Sequence, residues 1–254
     1  MYFFLSHLSL VVISYSSTVV PKFLTDLLFK VKTMPLEGCV AQIFFFHLFG
    51  VAETFLLTVM AYDHYMAICK PLHYTTIMSR TVCHLLVAGS RLGGIIPSMV
   101  QIFITVQLPF CGPNVIDHYF CDLHPLFKFA CIDTSVEGVI VLANSGLMSI
   151  LSLLILVSSY VFILVNLRKL SAERRKALST CVSHIMVVIL FFAPAIFLYM
   201  RPASTFTEDK LVAVFYTVVT PMLNPITYTL RNAEVKVAMK RLGGRKVNSV
   251  VGSK

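Results

Sequence analysis

Long apolar blocks alternate with short polar connectors along the whole chain. A helix needs about 20 mainly apolar residues to cross a bilayer, and six of the blocks reach that length. They cover approximately residues 1–28, 39–68, 82–108, 138–167, 178–200 and 211–230. Gly93 and Gly94 interrupt the third block, and Pro194 lies within the fifth. The pattern predicts an all-α membrane protein with six transmembrane helices.

The composition agrees with this prediction and narrows it. Of the 254 residues, 57% are hydrophobic and 13% are charged, whereas a soluble domain carries roughly 25% charged residues. The net charge is +9. The basic residues concentrate in a few connectors and in the C-terminal tail, without a stripe of interleaved aromatic residues. This distribution favours a role in membrane topology over nucleic-acid binding.

The basic residues also predict the orientation of the chain. Fourteen of them lie in the connectors at 70–80 and 168–176 and from residue 231 onward, against six on the opposite side. The positive-inside rule places the richer side in the cytosol, so both ends of the chain face the cytosol. We expect residues 1–242 to form a single bundle. Its last segment, 231–242, mixes apolar and basic residues and is predicted to be a short amphipathic helix on the inner leaflet. The alternative for 231–242 is a frayed basic tail. We expect residues 243–254 to form a basic cytoplasmic tail.

Four cysteines lie on the predicted outer side, namely Cys39, Cys111, Cys121 and Cys131. In an oxidising compartment they suggest two disulfides, for which three pairings are open. Two histidines in the same connector fit no standard zinc motif, so we predict no metal site.

Five strings of residues go beyond generic membrane physics. They are MYFFL at 1–5, MAYDHYMAIC at 60–69, LPFCGPN at 108–114, KALSTCVSH at 176–184 and PMLNPITYTLRN at 221–232. In this order they resemble the olfactory (odorant) receptors, which are rhodopsin-like (class A) G-protein-coupled receptors. The resemblance covers essentially the whole chain.

The resemblance implies a bundle of seven helices, of which the string MYFFL usually begins the second. We therefore expect the six spans to be the family's second to seventh helices, without the N-terminus and the first helix. The resemblance also implies the disulfide pairs Cys39–Cys121 and Cys111–Cys131. The implied function is odorant binding in the lipid bilayer of the plasma membrane, in a multi-pass chain that signals through a heterotrimeric G protein of the olfactory Gs type. No enzymatic activity and no cofactor are implied.

The resemblance places the ligand between the outer halves of the family's third, fifth, sixth and seventh helices. Mapped by motif offsets, the candidate ligand-binding residues are Phe46, His47, Gly50, Val51, Asn144, Met148, Ala195, Ile196, Tyr199 and Val214. The set is mostly apolar with a few polar points, as a small volatile ligand requires. Helix–helix packing is the alternative role for each of them.

Residues that the resemblance assigns to G-protein coupling and activation lie mainly toward the cytosolic side. They are Asp63, His64, Tyr65, His184, Asn224, Pro225 and Tyr228. His64 departs from the family, which has an arginine there that pairs with the preceding acid and engages the G protein. Histidine is shorter and mostly neutral near pH 7, so we expect weakened coupling.

Two further departures lie within the spans. Val12 stands where similar receptors carry an acid of a buried polar network, and Arg91 stands where they carry tryptophan. Arg91 is interpreted either as an anion site or, more simply, as the result of a single-base codon change. Glu53 is an acid within a span and therefore a functional candidate by default.

These departures support an alternative to the signalling receptor, namely a truncated, coupling-impaired receptor remnant without signalling activity, which is retained in the endoplasmic reticulum or acts only by helix association. A transporter or an intramembrane enzyme is disfavoured, because the sequence has no internal repeat, no His-Glu-x-x-His string and no phosphate loop.

Overall fold

The structure, a computed structural model, describes residues 2–29, 33–111, 120–127, 129–167, 175–199 and 207–231. Six long helices, numbered α1 to α6 in chain order, contain most of these residues. Their bounds are Tyr2–Leu28 for α1, Leu36–Cys69 for α2, Arg80–Leu92 and Ile95–Gln107 for the two halves of α3, Ser135–Leu167 for α4, Arg175–Tyr199 for α5, and Thr207–Val214, Phe215–Val219 and Thr220–Arg231 for three consecutive segments of α6, the middle one a π-helix. Short helices at Pro71–His73, Tyr74–Ile77 and Leu123–Phe127 lie in the connectors. The predicted amphipathic helix at 231–242 and the tail at 243–254 lie outside the described residues, apart from Arg231.

Helix length and composition agree with a membrane-spanning bundle. Four helices are long and apolar enough to cross a membrane, namely Tyr2–Leu28, Leu36–Cys69, Arg80–Gln107 and Ser135–Val165. Two shorter apolar segments, Cys181–Phe197 and Leu211–Asn224, lie within α5 and α6. Over the part of the chain that the structure describes, every long element is a helix. The expected fold class, an all-α membrane protein, is confirmed.

Helix α2 lies at the centre of the bundle. It packs against α1, α3, α4 and α5, while α6 packs against α5 and α1 and so closes the ring of helices around it. Its side chains are buried along most of its length, among them Ile43, Leu56, Leu57 and Met60. A helix that is apolar all round is typical of such a buried position. Helix α4, in contrast, exposes one face rich in leucine and valine, as expected for contact with lipid.

The two halves of α3 meet at Gly93 and Gly94, where the helix comes very close to α2. A Cβ atom on Gly93 would lie 2.7 Å from the Phe55 ring, and one on Gly94 would lie 2.7 Å from the Leu48 carbonyl oxygen. Real side chains do not come that close, so a larger residue at Gly93 would displace the Phe55 ring and one at Gly94 would push α3 away from the α2 backbone. The interruption that the sequence showed in the third block therefore has a packing reason.

Candidate functional site

The outer half of the bundle contains a cluster of aromatic rings contributed by several helices. Phe46 on α2 lies 5.0 Å from Tyr15 on α1 and 6.3 Å from Tyr216 on α6, measured between ring centroids. Tyr216 in turn lies 5.7 Å from Phe191 on α5. Phe120 of the outer connector contacts Phe46 at 5.2 Å. Aromatic pairs at these separations attract each other, so the cluster joins α1, α2, α5 and α6 beneath the outer connector.

The α2 members of the predicted ligand site lie at or beside this cluster. Phe46 and His47 are buried, and the His47 ring donates from Nδ1 to the Ile43 carbonyl oxygen at 2.8 Å. Gly50 is half-buried, and a Cβ atom there would lie 3.5 Å from the Tyr15 ring, which is ordinary contact. Val51, one residue further on, is also half-buried.

The remaining ligand candidates are distributed over α4, α5 and α6. Asn144 on α4 donates to the Pro97 carbonyl oxygen of α3 at 3.1 Å, so its amide is engaged in helix packing. Met148 and Val214 are half-buried, Ala195 is buried and Ile196 is exposed. The side chain of Tyr199 lies outside the described part of the structure.

A buried glutamine and two disulfides attach the outer connector to the bundle. The Gln42 side chain accepts a hydrogen bond from the backbone N–H of Cys121 at 2.8 Å and donates to the Thr18 carbonyl oxygen of α1 at 2.7 Å. Cys121 is bonded to Cys39 with a Cα–Cα distance of 5.4 Å. A second bond joins Cys111 to Cys131, also at 5.4 Å. Of the three open pairings, the structure has the one that the resemblance implies.

At the cytosolic end of α2, Asp63 and His64 face different partners. The Tyr74 hydroxyl donates to Asp63 Oδ1 at 2.8 Å. The His64 ring lies within the bundle, where Nδ1 is 3.4 Å from the Tyr160 hydroxyl of α4. That hydroxyl is 2.5 Å from His184 Nδ1 of α5, and the two imidazole rings are 5.2 Å apart. His64, Tyr160 and His184 form a buried polar cluster, hereafter the inner cluster, that links α2, α4 and α5.

Tyr74 lies in the connector outside the membrane, and its environment keeps it protonated. Burial raises the pKa of the Tyr74 hydroxyl, and the hydrogen bond to Asp63 raises it further. The hydroxyl therefore remains a donor throughout the physiological pH range. Tyr65, the remaining α2 candidate for coupling, is half-buried and its ring contacts Phe162 of α4 at 6.3 Å.

Near the middle of the bundle, Glu53 and Asn224 connect α2 to α6. Asn224 Nδ2 donates to Glu53 Oε1 at 2.7 Å, and both residues are buried. Val12, which stands where an acid is expected, is buried within the apolar core. Ser9, one turn earlier on α1, donates its hydroxyl to the Leu5 carbonyl oxygen of the same helix at 2.9 Å. Glu53 thus supplies Asn224 with a polar partner in a region where Val12 offers none. The side chains of Pro225 and Tyr228 lie outside the described part of the structure.

Several residues of these networks were missed in the sequence. They are Tyr15, Gln42, Tyr74, Phe120, Tyr160, Phe191 and Tyr216. Aromatic residues at helical spacing are usually ordinary core, so the sequence contained no signal that separated Tyr160 or Tyr216 from the other rings. Gln42 was the easiest of them to find from the sequence, because a polar residue three positions after Cys39 in an apolar span needs a buried hydrogen-bond partner.

Comparison with known proteins agrees with the geometry. The family model described as olfactory receptor matches residues 1–246. Human olfactory receptor 4B1 is 75% identical over 249 residues, which cover 98% of this chain and 81% of that protein. Mouse olfactory receptor 4B13 is 74% identical over 94% of this chain and 79% of its own length. Human olfactory receptor 4S2 is 61% identical over 97% of this chain and 80% of its own length. This chain, with membrane-length helices around a central α2, therefore belongs to the olfactory receptor family, whose members are multi-pass plasma-membrane receptors coupled to G proteins and not enzymes.

Proposed function

We propose that this chain binds small, mainly apolar volatile ligands within the outer half of the bundle and signals through a heterotrimeric G protein of the Gs type. The observation that carries the proposal is the aromatic cluster around Phe46. It joins α2 to α5 and α6, so a ligand that contacts it changes the packing between the central helix and its neighbours.

The inner cluster supports the second half of the proposal. Tyr160 contacts His64 on one side and His184 on the other, so the cytosolic portions of α2, α4 and α5 share one set of polar contacts. In similar receptors the helix that corresponds to α5 moves outward on activation, and such a movement here would separate His184 from Tyr160 and break this set of contacts. Pro194 lies in the same helix as His184 and weakens its backbone hydrogen bonding, which favours bending there. Ligand binding would then shift a population between closed and open cytosolic ends.

The ligand site is tested by a pair of adjacent phenylalanines on α2. Phe46 is 3% exposed and Phe45 is 45% exposed on the outside of the bundle. In cells with a cAMP reporter and surface labelling, a panel of volatile compounds first identifies an agonist. We expect Phe46→Leu to raise the agonist concentration for half-maximal response by about tenfold, the loss that corresponds to about 1.4 kcal/mol of contact energy. Phe45→Leu should leave it within about twofold, since scattered surface contacts contribute little.

Equal responses of the two variants, at equal surface levels, would remove Phe46 from the ligand site. If the parent chain reaches the cell surface but gives no cAMP response to any compound, the proposal that it signals through a Gs-type protein would fail. A chain that stays in the endoplasmic reticulum would favour the remnant described above.

A specific observation also favours a second function, a receptor that binds ligand but couples weakly. His64 is buried and directed toward Tyr160 and His184, so its ring does not reach the cytosolic surface. An arginine at the same position has a longer side chain, and its guanidinium group has five hydrogen-bond donors and stays charged. We expect His64→Arg to raise the maximal agonist response at least about threefold, whereas the half-maximal concentration, which depends mainly on the outer half, changes less. If the maximal response is unchanged, His64 does not limit coupling.

A further inference from the structure

Arg91 is a cation on the outside of the bundle that neither the ligand site nor the coupling residues use. Its side chain is exposed on α3, and Nη2 donates to Nδ1 of His7 on α1 at 3.0 Å. Among the residues that the structure describes, no carboxylate lies within ion-pair distance of it. His7 accepts this hydrogen bond but carries no negative charge, so an anion from outside the chain would stabilise the exposed guanidinium within the span.

Arg91 belongs to a line of polar residues along one face of α3. Arg80, His84 and Arg91 are spaced by four and seven residues, and at 3.6 residues per turn they lie within about 40° of one another. All three are exposed. Together with His7 they form what we call the basic face, which runs from the cytosolic end of α3 toward the middle of the membrane.

The basic face is rich in hydrogen-bond donors. A guanidinium has five donors and no acceptor, so His7 Nδ1 accepts from Arg91 and the His7 proton resides on Nε2. The Phe3 ring lies between the two imidazoles, 4.7 Å from His7 and 4.8 Å from His84, and holds them side by side. Clustered donors of this kind, among them the permanently charged guanidinium groups of Arg80 and Arg91, match the oxygens of a phosphate group.

The depth and surroundings of the basic face indicate which phosphate it meets. α3 begins on the cytosolic side, and helical side chains tilt toward the helix N-terminus. The Arg91 stem therefore reaches back toward the inner leaflet, as snorkelling residues do. On the outward side, the neighbouring Leu92 and Ile96 are 62% and 76% exposed. Such apolar surface suits acyl chains, whereas a free anion gains nothing from it.

We propose that the basic face binds the headgroup phosphate of an anionic phospholipid of the inner leaflet, with the acyl chains along Leu92 and Ile96. A zwitterionic choline headgroup is a poorer occupant, because its cation would lie against a basic surface without a carboxylate to receive it. The bound lipid would cover the contact between α1 and α3 at the cytosolic half of the bundle.

The experiment measures lipid retained by the purified full chain in native mass spectrometry, after reconstitution with equal amounts of phosphatidylserine and phosphatidylcholine. The parent chain should retain phosphatidylserine preferentially. Arg91→Gln should lower that preference by about tenfold, the loss that corresponds to one charge-assisted contact. Arg91→Trp restores the residue that similar receptors carry and provides a second variant, so that the same loss is measured in a chain expected to fold.

Lys70→Gln serves as the matched control, because Lys70 is an exposed basic residue on the cytosolic side that is not part of the basic face. It should leave the preference unchanged. Equal retention of phosphatidylserine by the parent chain and both Arg91 variants would overturn the proposal, and so would an equal loss in Lys70→Gln. Displacement of phosphatidylserine by inorganic phosphate alone would assign the site to a free anion and would also overturn it.

Discussion

The outer and inner halves of the bundle are held by different kinds of contact. In the outer half, Phe46, Tyr15 and Tyr216 meet through ring faces and edges, and the connector above them is attached by disulfides. In the inner half, single polar groups meet at hydrogen-bond distance, as Asp63 does with Tyr74. Apolar contacts are non-directional and tolerate changes of shape, whereas a hydrogen bond is made or lost over a fraction of an ångström. The first kind suits recognition of varied ligands and the second suits a switch between two states.

The largest expected effect concerns the covalent attachment of the outer half. Cys121→Ser opens a bond that closes 82 residues of sequence, and the chain-entropy relation assigns about 4–5 kcal/mol to a loop of that length. Cys131→Ser opens a bond with a separation of only 20 residues, for which the same relation gives about 3 kcal/mol. We expect both variants to unfold at lower temperature in detergent, with Cys121→Ser the more affected.

The free Cys83 provides the control for the disulfide variants, since Cys83→Ser breaks no disulfide. If Cys131→Ser proved the more destabilising, the attachment of the outer half would depend on the local loop and not on the link between connector and α2.

The next effect tests how closely the outer part of α2 is packed. Gly94→Ala would place a Cβ atom 2.7 Å from the Leu48 carbonyl oxygen, a backbone atom that cannot move aside easily. Overpacking of this kind costs about 1–3 kcal/mol. Gly89→Ala, five residues earlier in α3, meets nothing within 4 Å and should stabilise the helix by about 0.5–1 kcal/mol. Thermal unfolding of the two purified variants should therefore shift in opposite directions, and shifts of the same sign would contradict the packing described.

The two halves also differ in what the sequence could predict. The six helices followed from apolar length, because a bilayer sets that length directly. The disulfide pairing did not follow from spacing and depended on the resemblance. Pocket residues on α2 could be mapped by motif offsets, but the ring contacts of Phe46 with Tyr216 come from the helix arrangement, which no local pattern encodes.

The polar contacts nearer the cytosol, like the ring contacts, join distant parts of the chain. Asn224 and Glu53 are 171 residues apart in sequence, and His64 and Tyr160 are 96 residues apart. The sequence indicated that His64 departs from a motif. It contained no indication that the shorter ring turns inward and meets Tyr160.

The smallest effect concerns the cytosolic contact between Tyr74 and Asp63. Tyr74→Phe removes one hydrogen bond to a buried carboxylate, worth about 0.5–1.5 kcal/mol. This bond connects the cytosolic end of α2 to the neighbouring connector and should favour the resting state. Converted to a population ratio, the lost free energy corresponds to a roughly two- to tenfold rise in ligand-independent cAMP signalling. The agonist affinity should change little. Tyr62→Phe is the matched control, since Tyr62 lies on α2 next to Asp63 and is 41% exposed. A change in agonist affinity without a change in basal signalling would mean that the inner contacts help to form the ligand site, and the division between recognising and switching halves would then fail.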